Sequence, residues 1–241
     1  MPLRLQLGAG RFENMDPTIV HVFADPSWIH LGDRSSQPIS LLNKLKGKSL
    51  RFLIDIAFSK LGKMRRNRKS GEVLSGAYEL TEFRSFTYAS GDALPFADES
   101  FDFIYSEHFF EHLFLDEAAS LFRECMRIMR PGAVIRTCVP DPDLRTYMKP
   151  EPIGFPDPKM PFTDPTKHKT RWTVYSLSTI LQLCGFLPVP LVYCTKTGAF
   201  IDRSPTASNY PGNPDVVAVA SMDYVSRRHC SLIVDGQKPL R

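Results

Sequence analysis

Residues 88–141 read YASGDALPFADESFDFIYSEHFFEHLFLDEAASLFRECMRIMRPGAVIRTCVPD, and their order of turn, strand, helix and strand decides the fold. Gly91-Asp92-Ala93 and Phe96 to Ser100 are turn chemistry. Phe101 to Tyr105 reads as a short strand. From about Leu113 a helical period sets in, with Leu115, Ala118, Leu121, Phe122, Cys125 and Met129 on one face. Pro131-Gly132 is predicted to stop the helix, and Ala133 to Val139 to form a second strand ending at Pro140-Asp141. A strand, a crossover helix and a strand make a right-handed parallel unit, and ligands bind beyond the carboxyl ends of such strands. Ser106, Glu107 and His108 after the first strand, and Asp141 after the second, are therefore expected to line a site.

Upstream, Leu3 to Leu7 is a short strand that runs into Gly8-Ala9-Gly10. Closely spaced glycines let a ligand approach the backbone where a Cβ would obstruct it. Thr18 to Ala24 and Trp28 to Leu31 are strand-like, and Phe86-Thr87-Tyr88 enters a third strand, followed by Asp92. Downstream, six prolines fall within residues 150–165, which excludes regular structure there and predicts a long, stiff loop. A helix over Ser176 to Cys184 closed by Gly185, a strand over Leu187 to Tyr193, a strand-like Val216 to Ala220 and an antiparallel closing strand at Ser231 to Asp235 complete the pattern.

The length suits one domain with a substantial core. No apolar run approaches the roughly 18 residues that span a membrane, and Met1-Pro2 leads straight into a strand, so a cytoplasmic location is expected. The five cysteines lie far apart without a CxxC and read as reduced core thiols. Charge is uneven. Residues 44–69 hold ten Lys or Arg against one acid, Asp55, so the +4 of the whole chain conceals an acidic remainder. Ser49 to Lys60 is apolar and the cluster around Arg65, Arg66 and Arg68 follows it. Such a segment either lies on an anionic membrane surface, or grips a phosphate-bearing substrate, or packs on the domain with a solvated basic end. No groove-reading or aromatic-interleaved motif accompanies the cluster, so nucleic acid is not expected.

Gly91-Asp92-Ala93-Leu94-Pro95-Phe96, Ser100-Phe101-Asp102, Ser106-Glu107-His108, Glu111-His112-Leu113 and Arg130-Pro131-Gly132, taken in order, resemble the S-adenosylmethionine-dependent methyltransferases of the Rossmann-like superfamily. More narrowly they are similar to bacterial type-11 enzymes. The resemblance extends over residues 3–33 and 86–141, moderately over 167–193, and hardly over 34–85. It implies an α/β fold, a seven-stranded, mostly parallel sheet with flanking helices, forming a single domain over 1–241 with a basic, partly helical insertion at 34–85 after the second strand. It also implies S-adenosyl-L-methionine as cofactor and a small-molecule or saccharide acceptor.

On this resemblance Gly8, Ala9 and Gly10 pass under the methionine and ribose of the cofactor, although Gln6 stands where many relatives have an acid and Arg11-Phe12 replaces a third glycine. Asp33, after a Trp28-Ile29 resembling the family's second strand end, is expected to accept the ribose hydroxyls, with Asp25 as the alternative. Asp92 would receive the adenine amino group, the Ala93 amide would meet a ring nitrogen, and Leu94 and Phe96 would wall the ring; Ser106 lies beside the cofactor. His168 and Trp172, just before a helix as in family members, are expected at the acceptor.

Methyl transfer needs in-line positioning, and an oxygen acceptor also benefits from a base. His108 is the first candidate and Glu107 the second. His108-Phe-Phe-Glu111-His112 also fits HxxEH, a zinc pattern with two histidines on one helical face. A distant, helix-borne acid as third ligand has no clear candidate, so no metal is expected, and a zinc hydrolase is the lesser alternative beside a non-catalytic cofactor-binding scaffold.

Overall fold

The computed structural model describes residues 3–9, 27–32, 82–143, 168–210 and 231–240. The strands are β1 (Arg4–Ala9), β2 (Trp28–Gly32), β3 (Glu82–Ser85), β4 (Phe101–Glu107), β5 (Met129–Pro140), β6 (Leu187–Cys194), β7 (Phe200–Asp202) and β8 (Ser231–Gln237). The helices are α1 (Leu115–Ile128) and α2 (Val174–Leu183), and Phe110–His112 forms a 3-10 turn between β4 and α1. The strands make one sheet in the order β3-β2-β1-β4-β5-β8-β6-β7.

The α/β class is as expected, but the sheet departs from the expected seven-stranded, mostly parallel form. It has eight strands among the described residues and is mixed. β3, β2, β1, β4 and β5 run parallel, whereas β8 is antiparallel to both β5 and β6, and β7 to β6. The closing strand β8 is not at the edge; it lies between β5 and β6. The third strand is also displaced. It is Glu82–Ser85, inside the stretch read as an insertion, and Phe86 to Ala89 that follows has no regular structure. The strand-like Thr18 to Ala24 and Val216 to Ala220, the basic segment 44–69 and the proline-rich loop lie outside the described residues.

α1 forms because its apolar residues recur at helical spacing. Ala118, Ala119, Leu121, Phe122, Cys125 and Ile128 are buried, while Leu115 stays exposed. Glu117 Oε2 accepts the Phe114 N–H at 2.8 Å, and Asp116 and Glu117 in the first turn suit the positive end of the helix dipole. The ring of Phe122 stacks on Phe110 at 4.1 Å, and burying such a side chain stabilises the fold by about 1.5–3 kcal/mol. This packing fastens the 3-10 turn to α1. Pro131-Gly132 does not separate helix from strand as predicted: β5 starts at Met129, and the two residues fall in an irregularity where Phe101 pairs with Met129 but Phe103 with Val134. Proline is tolerated at such a bulge because its missing N–H leaves no rung of the ladder broken.

The other face of the sheet carries Trp28, Phe103, Tyr105, Val134, Cys138 and Ile233. Among them lies a fully buried ion pair, Arg136 with Asp235, direct neighbours across β5 and β8 and joined by two hydrogen bonds of 2.9 Å. The Tyr210 hydroxyl adds a third, donating to Asp235 Oδ2 at 2.7 Å. Cys125, Cys138, Cys184 and Cys194 are buried free thiols, as expected for a reduced core, and Cys230 lies outside the described residues.

Candidate active site

The chain order reverses between β1 and β4: β2 and β3 lie to one side of β1, β4 and β5 to the other. The crevice at the carboxyl ends of such strands is where ligands bind in open α/β sheets. β1 ends there at Gly8, whose φ of 71° is in the left-handed region. A Cβ on Gly8 would come within 2.6 Å of the Phe109 Cβ, so only glycine fits beneath this ring. Phe109 in turn contacts the rings of Phe86 and Phe110, at 6.2 Å and 5.8 Å. Gly10, Asp25 and Asp33 lie outside the described residues.

β4 delivers Ser106, Glu107 and His108. Side chains alternate across a strand, so Ser106 shares a face with its β1 neighbour Leu7 while Glu107 points to the opposite face. There Glu107 Oε2 accepts the Tyr105 hydroxyl at 3.2 Å. The Ser106 hydroxyl is buried with no hydrogen-bond partner among the described residues, and so is that of Thr137, its neighbour on β5. His108 has a φ of 50°, uncommon for a residue with a side chain and a sign of local constraint at a working site. Its N–H donates to the Cys138 carbonyl at 2.8 Å, holding the backbone to β5.

The His108 ring is held at both nitrogens. Nδ1 is 3.1 Å from Glu111 Oε1, and Nε2 is 3.1 Å from Ser231 Oγ at the start of β8. A carboxylate only accepts, so Nδ1 carries the proton and Nε2 the lone pair, which receives the Ser231 hydroxyl hydrogen. Acid, imidazole and hydroxyl thus form one hydrogen-bonded line. Both ring nitrogens of His108 are thus engaged by protein groups.

Asp92, Ala93 and Leu94 belong to a loop fastened along α1. Asp92 Oδ2 accepts the Ala89 N–H at 2.8 Å, Gly91 donates to Ser120 Oγ at 2.9 Å, and Leu94 to Glu124 Oε2 at 2.8 Å. Asp92 and Ala93 are exposed and Leu94 is buried. Tyr88, which also bonds Ser120, lies 6.0 Å from Phe86 and so links this loop to the ring over Gly8. Asp141 is buried, with Oδ1 accepting from Asp143 N–H and Oδ2 from Cys194 N–H; burial raises its pKa above the ordinary carboxylate value. It acts here as a clamp between the ends of β5 and β6. Trp172 is also buried, donating from Nε1 to the Phe110 carbonyl at 3.3 Å. His168 is exposed and packs edge-on against His112, ring centroids 5.1 Å apart. Phe109 and Ser231 were not singled out by the sequence, and Glu111 was named only within the HxxEH pattern and the family resemblance.

Residues 44–137 match the family described as a methyltransferase domain. The chain resembles the solved S-adenosylmethionine-dependent methyltransferase from Mesorhizobium loti in fold, with a TM-score of 0.50 at 16% identity over 98% of this chain and 90% of that one. For one from Methanosarcina mazei the TM-score is 0.48 at 18% identity, covering 99% and 92%. No curated protein matches the chain. Residues 44–137 are thus similar to a methyltransferase domain, and the chain shares its fold with an S-adenosylmethionine-dependent enzyme. The match begins at residue 44, within the stretch read as an insertion, most of which lies outside the described residues. S-adenosyl-L-methionine is the cofactor that this similarity implies. The described residues suit it: a glycine turn at the β1–β4 crevice, an unpartnered buried hydroxyl on Ser106, and an aromatic ring over the turn, whose face attracts a cationic sulfonium.

Proposed function

We propose that this methyltransferase, one of a bacterial type-11-like group, methylates an oxygen of a small-molecule or saccharide acceptor, with His108 as the base. The observation that carries this reading is the constrained His108 between Glu111 and Ser231 at the strand-order reversal. When bound, S-adenosyl-L-methionine supplies an activated methyl group on a sulfonium, so the protein has only to position the acceptor and take its proton. Glu111 fixes the His108 tautomer with the lone pair on Nε2. An acceptor hydroxyl replacing Ser231 at that nitrogen gives up its proton there as its oxygen takes the methyl. Imidazolium formed on His108 is stabilised by the Glu111 carboxylate. Glu107 supports the strand end through Tyr105 and is the second candidate base.

Gly8, Ala9, Gly10, Asp33, Asp92, Ala93, Leu94 and Ser106 are proposed to hold the cofactor, and His168, Trp172 and Asp141 to shape the acceptor side, within a single domain over 1–241. A cytoplasmic location and contact of residues 44–69 with anionic membrane belong to the same proposal; among the described residues no helix is long and apolar enough to cross a membrane. The test begins with calorimetric titration of S-adenosylhomocysteine into the protein and its Asp33→Ala and Asp92→Ala variants. Binding that weakens in both variants supports the cofactor site, and absence of binding to the unaltered protein overturns it. Release of S-adenosylhomocysteine over a panel of hydroxylated metabolites and saccharides then seeks the acceptor. Turnover undiminished in His108→Ala would remove the base. Liposomes containing phosphatidylserine should bind the protein less after Arg65→Glu/Arg66→Glu.

A further inference from the structure

We propose that Glu111, His112 and His168 form a binding site for a divalent transition-metal ion, of the zinc class, next to the His108 line. One oxygen of Glu111 and one ring nitrogen of each histidine all lie within 4.8 Å of one another, and His112 Nε2 is 3.9 Å from Glu111 Oε1. The 3.9 Å separation is too long for a good hydrogen bond and somewhat longer than the edge of about 3.3 Å that four ligands at 2.0–2.1 Å make around zinc, so an inward rotation of the side chains would close the set.

A second observation points the same way. Glu111 is 2% exposed, and while Oε1 accepts from His108, Oε2 is buried without a hydrogen-bond partner. A buried carboxylate oxygen left unpaired is costly, and a cation is the partner that offsets this most fully. The neighbouring ammonium does not fill this role: Lys169 Nζ lies over the Phe114 ring at 4.5 Å and 4.0 Å from Glu117.

The three residues are held in register by backbone. Lys169 and Thr170 N–H both donate to the Glu111 carbonyl, at 2.7 and 3.0 Å, Thr170 Oγ1 bonds the Leu113 carbonyl, and Trp172 bonds that of Phe110. His168 therefore sits at the end of a segment stitched along the 3-10 turn that carries Glu111 and His112. Compared with the HxxEH pattern, Glu111 supplies the acid and His168, from a distant loop, takes the place of His108. Two imidazoles and one carboxylate favour zinc and its first-row neighbours over magnesium or calcium, which take mostly oxygen ligands. Three protein ligands leave a coordination position open, and through Glu111 the ion would share a carboxylate with His108.

The experiment is competition of the chelator-stripped protein against a chromophoric chelator for Zn2+, with Co2+ absorption as a second readout of coordination. A single equivalent is expected. His168→Ala and His112→Ala should each weaken it by at least ~100-fold, the upper end of what a merely supporting contact costs. His108→Ala should retain the equivalent. Because His168 is exposed, its variant keeps the fold, which circular dichroism checks. No stoichiometric binding by the folded protein, equal affinity in His168→Ala, or loss in His108→Ala instead would each overturn the site. S-adenosylhomocysteine binding, followed in the same samples, separates this result from the fate of the cofactor reading.

Discussion

Ser231 Oγ and His108 Nε2 stand 3.1 Å apart although 123 residues separate them in the chain. The contact joins the first residue of β8 to the carboxyl end of β4, and on the proposed function the Ser231 hydroxyl holds the place of an acceptor hydroxyl. His108→Ala is expected to lower turnover by ~10²–10⁴, the usual range for a positioned base, while S-adenosylhomocysteine affinity stays within error. Ser231→Ala removes only the resting partner and should leave turnover within about an order of magnitude of the unaltered protein. A collapse of turnover in Ser231→Ala instead would make the serine a proton relay. Steady-state kinetics with an identified acceptor reads both.

Gly8→Ala should destabilise the fold by roughly 1–3 kcal/mol, because the new methyl meets Phe109 and the backbone stays at positive φ. Adding Phe109→Ala should not restore stability, since alanine keeps the Cβ that lies 2.6 Å from the new methyl, leaves the conformational strain and opens a cavity. Urea unfolding of the two single variants and the double variant measures this.

The pair Arg136 and Asp235 predicts strong non-additivity. Asp235→Leu alone leaves a guanidinium uncompensated in the core and should cost about 3–5 kcal/mol, whereas Arg136→Met with Asp235→Leu should cost much less. A double-mutant cycle by denaturant unfolding gives the coupling, and additive effects would contradict the buried pair.

Arg127 gathers the loop before β4 onto α1, donating to the carbonyls of Leu94 and Phe96 and to Glu124 and Asp98. Its hydrogen bonds hold the Glu124 pKa below the ordinary 4.5. A carboxylate with a depressed pKa adds stability above its unfolded value, and that stability is lost as pH falls through the folded one. Arg127→Met should therefore cost ~1–3 kcal/mol at neutral pH, and the difference should narrow in acid as Glu124 protonates. Unfolding curves for both proteins at neutral and acid pH test the narrowing.

The parts legible in the sequence were those with a local cause. α1 announced itself through its apolar period, and the carboxyl ends of β4 and β5 followed from turn residues. Pro131-Gly132 misled because the same dipeptide serves a helix stop and a strand bulge, and only pairing with β4 tells them apart. The third strand was placed several residues late: Phe86-Thr87-Tyr88 has strand composition, but Phe86 and Tyr88 are spent on a ring cluster instead. His108 and Glu111 were visible as neighbours, yet Ser231 and His168 were not, since their approach depends on β8 entering mid-sheet and on hydrogen bonds to the 3-10 turn. Asp141 and Trp172 were read as site residues from where they stand in the chain; in the structure both are buried and hydrogen-bonded to backbone, Asp141 to Cys194 and Trp172 to Phe110.

The position of β8 has a consequence for how the chain is made. During synthesis β5 and β6 both leave the ribosome before residues 231–237 exist, yet these two strands have no direct pairing and meet only through β8. Until that strand arrives, the β5 edge, with Arg136 on it, has no partner across the gap, and the β6–β7 pair has nothing to dock on. The nascent protein must therefore keep a half-built sheet apart from its neighbours on the polysome, and insertion of β8 is the step that completes the His108 line and the buried ion pair together.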